Sequence, residues 1–186
     1  MKNNKIKIFV IIIIILAIIL ICLSIFENNK QNIIKDDQQT FDGRNAHYEI
    51  NGINFDLVNG EAKVQPVRGM AFASTFRYFG NESKGDLNGD GMEDIAFLIS
   101  QDNGGSGLFY YAVVALQKED GYKITNPFFI GDRIAPQTTN INTSAKELYI
   151  NYAERRVGEP MTTQPSMGAT KILKITQDEK LTGLMQ

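Results

Sequence analysis

Chemistry-bearing side chains are scarce in this chain. It has one cysteine, one histidine, no tryptophan and five prolines among 186 residues. A single cysteine excludes a disulfide framework and a cysteine-based zinc site. A single histidine excludes a multi-histidine metal centre. Excess positive charge is missing as well: beyond residue 30 the chain carries 15 basic and 20 acidic side chains, a net of about −5. A nucleic-acid partner is therefore not expected, because phosphate binding needs a basic face. No G-x-S-x-G run occurs, which removes the nucleophile elbow of α/β-hydrolases.

What is present begins with location. Residues 8–26 read IFVIIIIILAIILICLSIF and contain no charge. As a helix these residues span about 28 Å, close to the roughly 30 Å of a bilayer's hydrocarbon core. Lys2, Lys5 and Lys7 precede the run and Glu27 follows it. The charge asymmetry predicts a cytoplasmic segment 1–7, a single-pass anchor over 8–26, and an extracellular or periplasmic remainder. Two alternatives stand beside an uncleaved anchor. Cys22 and Ser24 form a small-x-small pair compatible with cleavage before Ile25, and Cys22 could carry lipid. Against lipidation, Ile21 occupies the place where the lipobox has a small residue. Against cleavage, the apolar run exceeds the 7–15 residues of a signal-peptide core.

Residues 27–45 are polar and aperiodic, and read as a flexible stalk. The folded region is expected over 46–176, with 177–186 as a C-terminal tail. Its signals are those of strands. HYEI, Asn51-Gly52, INFDLV, Asn59-Gly60 and EAKVQP follow one another as a meander, because Asn-Gly favours the turns whose twist matches paired strands. Further strands are expected at 72–79, 95–100, 109–116, 122–124, 128–130, 147–153 and 171–175. The charge-free, aromatic and β-branched FYYAVVAL reads as a central strand. Residues 155–170 read as a long irregular connection, with Arg155 and Arg156 in a solvated turn. The expected class is mainly β: an antiparallel meander or sandwich-like domain behind one N-terminal transmembrane helix.

One loop carries chemistry. Residues 86–94 place oxygen side chains at loop positions 1, 3, 5 and 9: Asp86, Asn88, Asp90 and Asp94. Gly91 at position 6 permits the sharp turn that aims the backbone carbonyl of Met92 inward. Five hard oxygen ligands in this register suit Ca²⁺, which takes six to eight oxygens, better than Mg²⁺, which demands a tighter octahedron. A full EF-hand would place a glutamate at position 12, where Phe97 stands, and would continue into a helix rather than the strand-like IAFLIS.

With the preceding Tyr78-Phe79-Gly80, the stretch YFGNESKGDLNGDGMEDIAFLI resembles the FG-GAP repeat of integrin-α-type β-propellers. The resemblance implies a strand–loop–strand unit that binds calcium. It occurs once, whereas a propeller needs four or more blades, so no propeller is implied. The run GGSGLFYYAVVAL, with GDRIAPQTT and GEPMTTQPS, also resembles a group of small exported bacterial proteins of unknown function.

The remaining candidates have plainer readings. Gly104–Gly107 precedes a strand, not the helix that a phosphate cradle needs. His47 reads as a half-exposed strand residue, and Met161 and Met167 as packing methionines of a loop. The functional expectation is a membrane-anchored, outward-facing binding or envelope-associated module with a structural calcium site. Its partners are the membrane and an extracellular protein or glycan ligand. An exported hydrolase whose fold is calcium-stabilised is the second reading.

Overall fold

Asn51-Gly52 and Asn59-Gly60 reverse the chain where the sequence places them. All four residues have positive φ, between 53° and 87°, the left-handed conformation that asparagine and glycine adopt most readily. The computed structural model describes residues 15–26, 40–65 and 72–184. The chain divides into two units, Met1–Thr40 and Phe41–Gln186.

In the first unit, residues 15–26 form a helix, α1. Its large apolar side chains are about half exposed or more. Among the described residues no helix is long and apolar enough to cross a membrane. Residues 8–14 of the expected span and 27–39 of the expected stalk lie outside the described residues.

The second unit is mainly β, and its strand pairs are antiparallel. Its strands are β1 (His47–Ile50), β2 (Ile53–Asp56), β3 (Glu61–Val64), β4 (Ser74–Gly85), β5 (Asp94–Asp102), β6 (Leu108–Lys118), β7 (Gly121–Ile124), β8 (Phe128–Asp132), β9 (Ala135–Asn142), β10 (Glu147–Glu154), β11 (Met167–Ile175) and β12 (Leu181–Gly183). The central sheet runs β3-β4-β5-β6-β7, with β8 also paired to β6. β6 thus meets β5 along one edge and shares the other between β8 and β7. A four-stranded sheet runs β12-β11-β10-β9, and β1-β2 stand apart as a hairpin.

The central sheet is buried on both faces, and side-chain alternation sorts its residues into two cores. Ala96, Leu98, Ala112, Val114 and Leu116 point to one side and pack with Leu148, Ile150, Tyr152, Leu173 and Leu181 of the four-stranded sheet. Ile95, Phe97, Ile99, Tyr111, Val113 and Ala115 point to the other and pack with Tyr48, Ile50, Phe55 and Leu57 from the hairpin segment. Period-two alternation forces this division. It also explains why FYYAVVAL carries no charge: it has no solvent face, and it is a central strand as expected.

Two seams join the sheets at their edges. On one, the backbone N–H of Ile141 in β9 donates to Ser83 Oγ in β4 at 2.9 Å. Gly85 lies so close to β9 that a Cβ there would meet Thr143 Oγ1 at 2.9 Å. On the other, Asn126 bonds the backbone of Leu181.

Several expectations are corrected. β3 pairs with β4 rather than β2, and only the isolated bridge Val58–Glu61 spans the second Asn-Gly turn. The hairpin covers one face of the sheet, so the chain leaves that layer after the buried Leu57. β9 and β12 were not expected, the latter because its segment read as a tail. β9 is polar and contains Pro136, which is tolerated where the register shifts against Tyr152 on an edge strand. The globular unit also starts earlier than residue 46. The Phe41 ring lies 5.3 Å from that of Tyr122, and Tyr48 donates its hydroxyl hydrogen to the Gly43 carbonyl at 2.7 Å. Arg155 is not simply solvated: its guanidinium bonds the carbonyls of Thr163 and Arg133 and organises the long connection.

Candidate metal centre

The loop of residues 86–93 links β4 to β5, the strand–loop–strand arrangement that the sequence predicts. Its shape follows from short side chains bonding nearby backbone. Asp86 accepts from Gly89 N at 2.5 Å and from Gly91 N at 3.0 Å. Asn88 Oδ1 accepts from Asp90 N at 2.9 Å, and Asp90 Oδ1 from Met92 N at 3.0 Å. The Asn88 and Asp90 bonds are Asx-type turns, reaching two residues on, while Asp86 reaches further and gathers Gly89 and Gly91 around its carboxylate. Gly89 and Gly91 have φ near +85°, so the curl places glycine where a side chain would be strained.

Asp94 occupies a different place. It is the first residue of β5 and is fully buried. Oδ2 accepts from Leu87 N at 2.9 Å, and Oδ1 accepts from Gln117 N of β6 at 3.1 Å. The carboxylate therefore ties the start of the loop to the neighbouring strand. Burial raises its pKa, with the nearby Asp90 charge adding to the rise, and the backbone N–H donors oppose it. For Asp90, burial is the largest influence and acts upward. The N–H of Met92, the Asn88 amide and the Lys118 charge together outweigh it, so the net shift is downward.

The three carboxylates of the expected set do not form one tight cluster. Asn88 and Asp90 touch, Nδ2 to Oδ2 at 2.8 Å, while Asp94 is engaged beneath them. Among the described residues, no three His, Cys, Asp or Glu side chains are grouped closely enough to hold an ion by themselves. The donor chemistry nevertheless suits a hard cation. A carboxylate has about four lone-pair sites, so the backbone bonds leave acceptor capacity on Asp86, Asp90 and Asp94, and the Asn88 and Met92 carbonyl oxygens complete the set.

Two cations that the sequence reading missed lie at this loop. Lys118, at the end of β6, places Nζ 3.6 Å from Asp90 Oδ2 and 2.8 Å from Glu179 Oε1. Lys146, from the β9–β10 turn, lies over Gly89: a Cβ on that glycine would come within 1.9 Å of its Nζ. Nothing in local spacing could find either, since they are 28 and 57 positions from the residues they approach.

Gly104–Gly107 and His47 keep their plain roles, whereas Met161 and Met167 are exposed rather than packed, and Met167 opens β11 instead of lying in a loop. Gly104–Gly107 belongs to the β5–β6 connection, where Gly104 N donates to Asp102 Oδ1 at 2.9 Å. His47 faces Asp56 across the β1–β2 hairpin, Nδ1 to Oδ1 at 2.8 Å. A shallow groove of about 370 Å³ beside β11 and β12 has Lys171 as its one charged lining residue. No protein-family model matches the chain, and no curated protein and no solved structure matches it significantly.

Proposed function

We propose that this chain is a membrane-anchored, outward-facing calcium-binding β domain, a binding or envelope-associated module whose calcium is structural. The observation that carries the calcium reading is the placement of Asp86, Asn88, Asp90, Met92 and Asp94. They form a glycine-hinged connection between β4 and β5 that ends on a buried carboxylate. The resemblance of the surrounding stretch to one FG-GAP repeat supports the same reading. When bound, the ion would neutralise the charge of three carboxylates that repel one another without it. Asp86 and Asp90 hold the loop curled, and Asp94 anchors it to β6.

Affinity is expected in the extracellular range, on the order of 10⁻⁴–10⁻³ M, because no bidentate position-12 carboxylate is present. At ten times the dissociation constant, binding contributes about 1.4 kcal/mol, a melting-temperature rise of a few degrees. Thermal melts of the full chain in calcium and in chelator should differ by that amount, and Asp90→Ala should abolish the difference. Superimposable wild-type melts, with no calorimetric binding at millimolar calcium, would leave the loop as a turn only.

Anchoring is supported by the uncharged run 8–26, its charge flanks and the exposed apolar surface of α1. The protein should fractionate with membranes and lose its β domain to protease added from outside. A soluble product beginning near Ile25 would overturn the anchor. An extracellular protein or glycan remains the partner class of this reading.

A further inference from the structure

We propose that Lys118 is the internal cation that answers Asp90 when the loop holds no metal, and that Glu179 keeps Lys118 in place when a divalent cation takes over. The inference rests on the calcium reading above and adds what sets the affinity.

Lys118 Nζ stands between two carboxylates on different parts of the fold. Asp90 lies in the β4–β5 loop at 3.6 Å, and Glu179 lies in the β11–β12 turn at 2.8 Å. The Glu179 carboxylate is shared with Lys123 of β7, at 2.5 Å. The ammonium is therefore closer to the partner that is not a loop ligand.

A divalent ion and an ammonium compete for the same Asp90 oxygen. Removing the ammonium should therefore tighten the ion, by about fivefold for a charge near 4 Å in a solvent-screened setting. The linkage is reciprocal: what Lys118 costs the ion, the ion costs the Lys118–Asp90 pair. Glu179 limits that cost, because the ammonium gives up only its longer contact. Without Glu179, Lys118 would turn to Asp90 and compete harder. Lys146, lying over Gly89, adds positive charge at the same loop but has no such second anchor in this relay.

The test is calorimetric titration of calcium chloride into the full chain in detergent, for wild type, Lys118→Met, Glu179→Gln and the double variant. Circular dichroism checks each fold, and Lys118→Gln replaces Lys118→Met if the latter folds poorly. The expected result is about fivefold tighter binding for Lys118→Met and about threefold weaker binding for Glu179→Gln. In the Lys118→Met background, Glu179→Gln should change nothing further. Calcium binding by Lys118→Met where wild type shows none also supports the proposal. If wild type binds but Lys118→Met binds equally or more weakly, the proposal falls while the calcium reading stands. The same holds if Glu179→Gln weakens binding equally in both backgrounds, because Glu179 then acts through its own charge. If neither wild type nor Lys118→Met binds, both readings fall.

Discussion

The side-chain amide of Asn126 bonds the backbone of Leu181 twice, as a strand residue would. Its Nδ2 donates to the Leu181 carbonyl at 3.1 Å, and its Oδ1 accepts from Leu181 N at 2.8 Å. The contact spans 55 positions of sequence and closes the edge between β8 and β12, opposite the β4–β9 seam.

Asn126→Ala should lower stability by about 1–3 kcal/mol, because it leaves a partly buried donor and acceptor of Leu181 without partners. Urea unfolding should show a lower midpoint with an unchanged slope. Asn126→Asp should lose stability too, since a carboxylate at neutral pH cannot donate to the carbonyl. A midpoint equal to wild type in both variants would show that Leu181 is held by its β11 pairing alone.

Asp94→Asn should destabilise the protein in chelator, before any calcium effect enters. The amide oxygen can replace one acceptor, but its NH₂ then faces the N–H of Leu87 or Gln117. A loss of about 1–3 kcal/mol is expected. Asp90→Ala removes a more exposed group and should cost much less under the same conditions. Equal losses for the two variants would contradict the distinct roles that their burial assigns.

Truncations on both faces of β5 should be costly. Leu98→Ala opens the core shared with the four-stranded sheet, and Phe97→Ala opens the core under the hairpin; both side chains are fully buried. Losses of about 2–5 kcal/mol are expected at each. Their effects should add in the double variant only as far as the intervening strand keeps the two cores independent. A near-neutral result for either would mean that its face is not a true core.

The single histidine gives an unambiguous pH reporter. The hydrogen bond that the His47 ring donates to the Asp56 carboxylate is the main cause that raises the His47 pKa above its ordinary value, and desolvation opposes it. A raised folded-state pKa means that the stabilisation is complete below the unfolded value of about 6.5. It is lost as pH rises through the folded value. Both side chains are exposed, so the readout is the imidazole NMR titration rather than stability. Asp56→Asn should move the titration toward the ordinary value, and an unchanged curve would show that the pair does not form in solution.

Local chemistry alone determined the β class, the two Asn-Gly reversals, the central position of FYYAVVAL and the curled β4–β5 loop with its alternating Asp and Asn side chains. These features depend on side-chain alternation and on left-handed turn positions, which neighbours in sequence decide. Tertiary structure decided the rest. Polar segments became β9 and β12 because backbone pairing needs a partner edge, not an apolar sequence. β3 went to β4 because the hairpin before it was needed to cover a second face of the sheet. Lys118, Lys146 and Glu179 reached the acidic loop only when three distant turns were folded together. Charge acts through space, and its partners cannot be read from spacing along the chain.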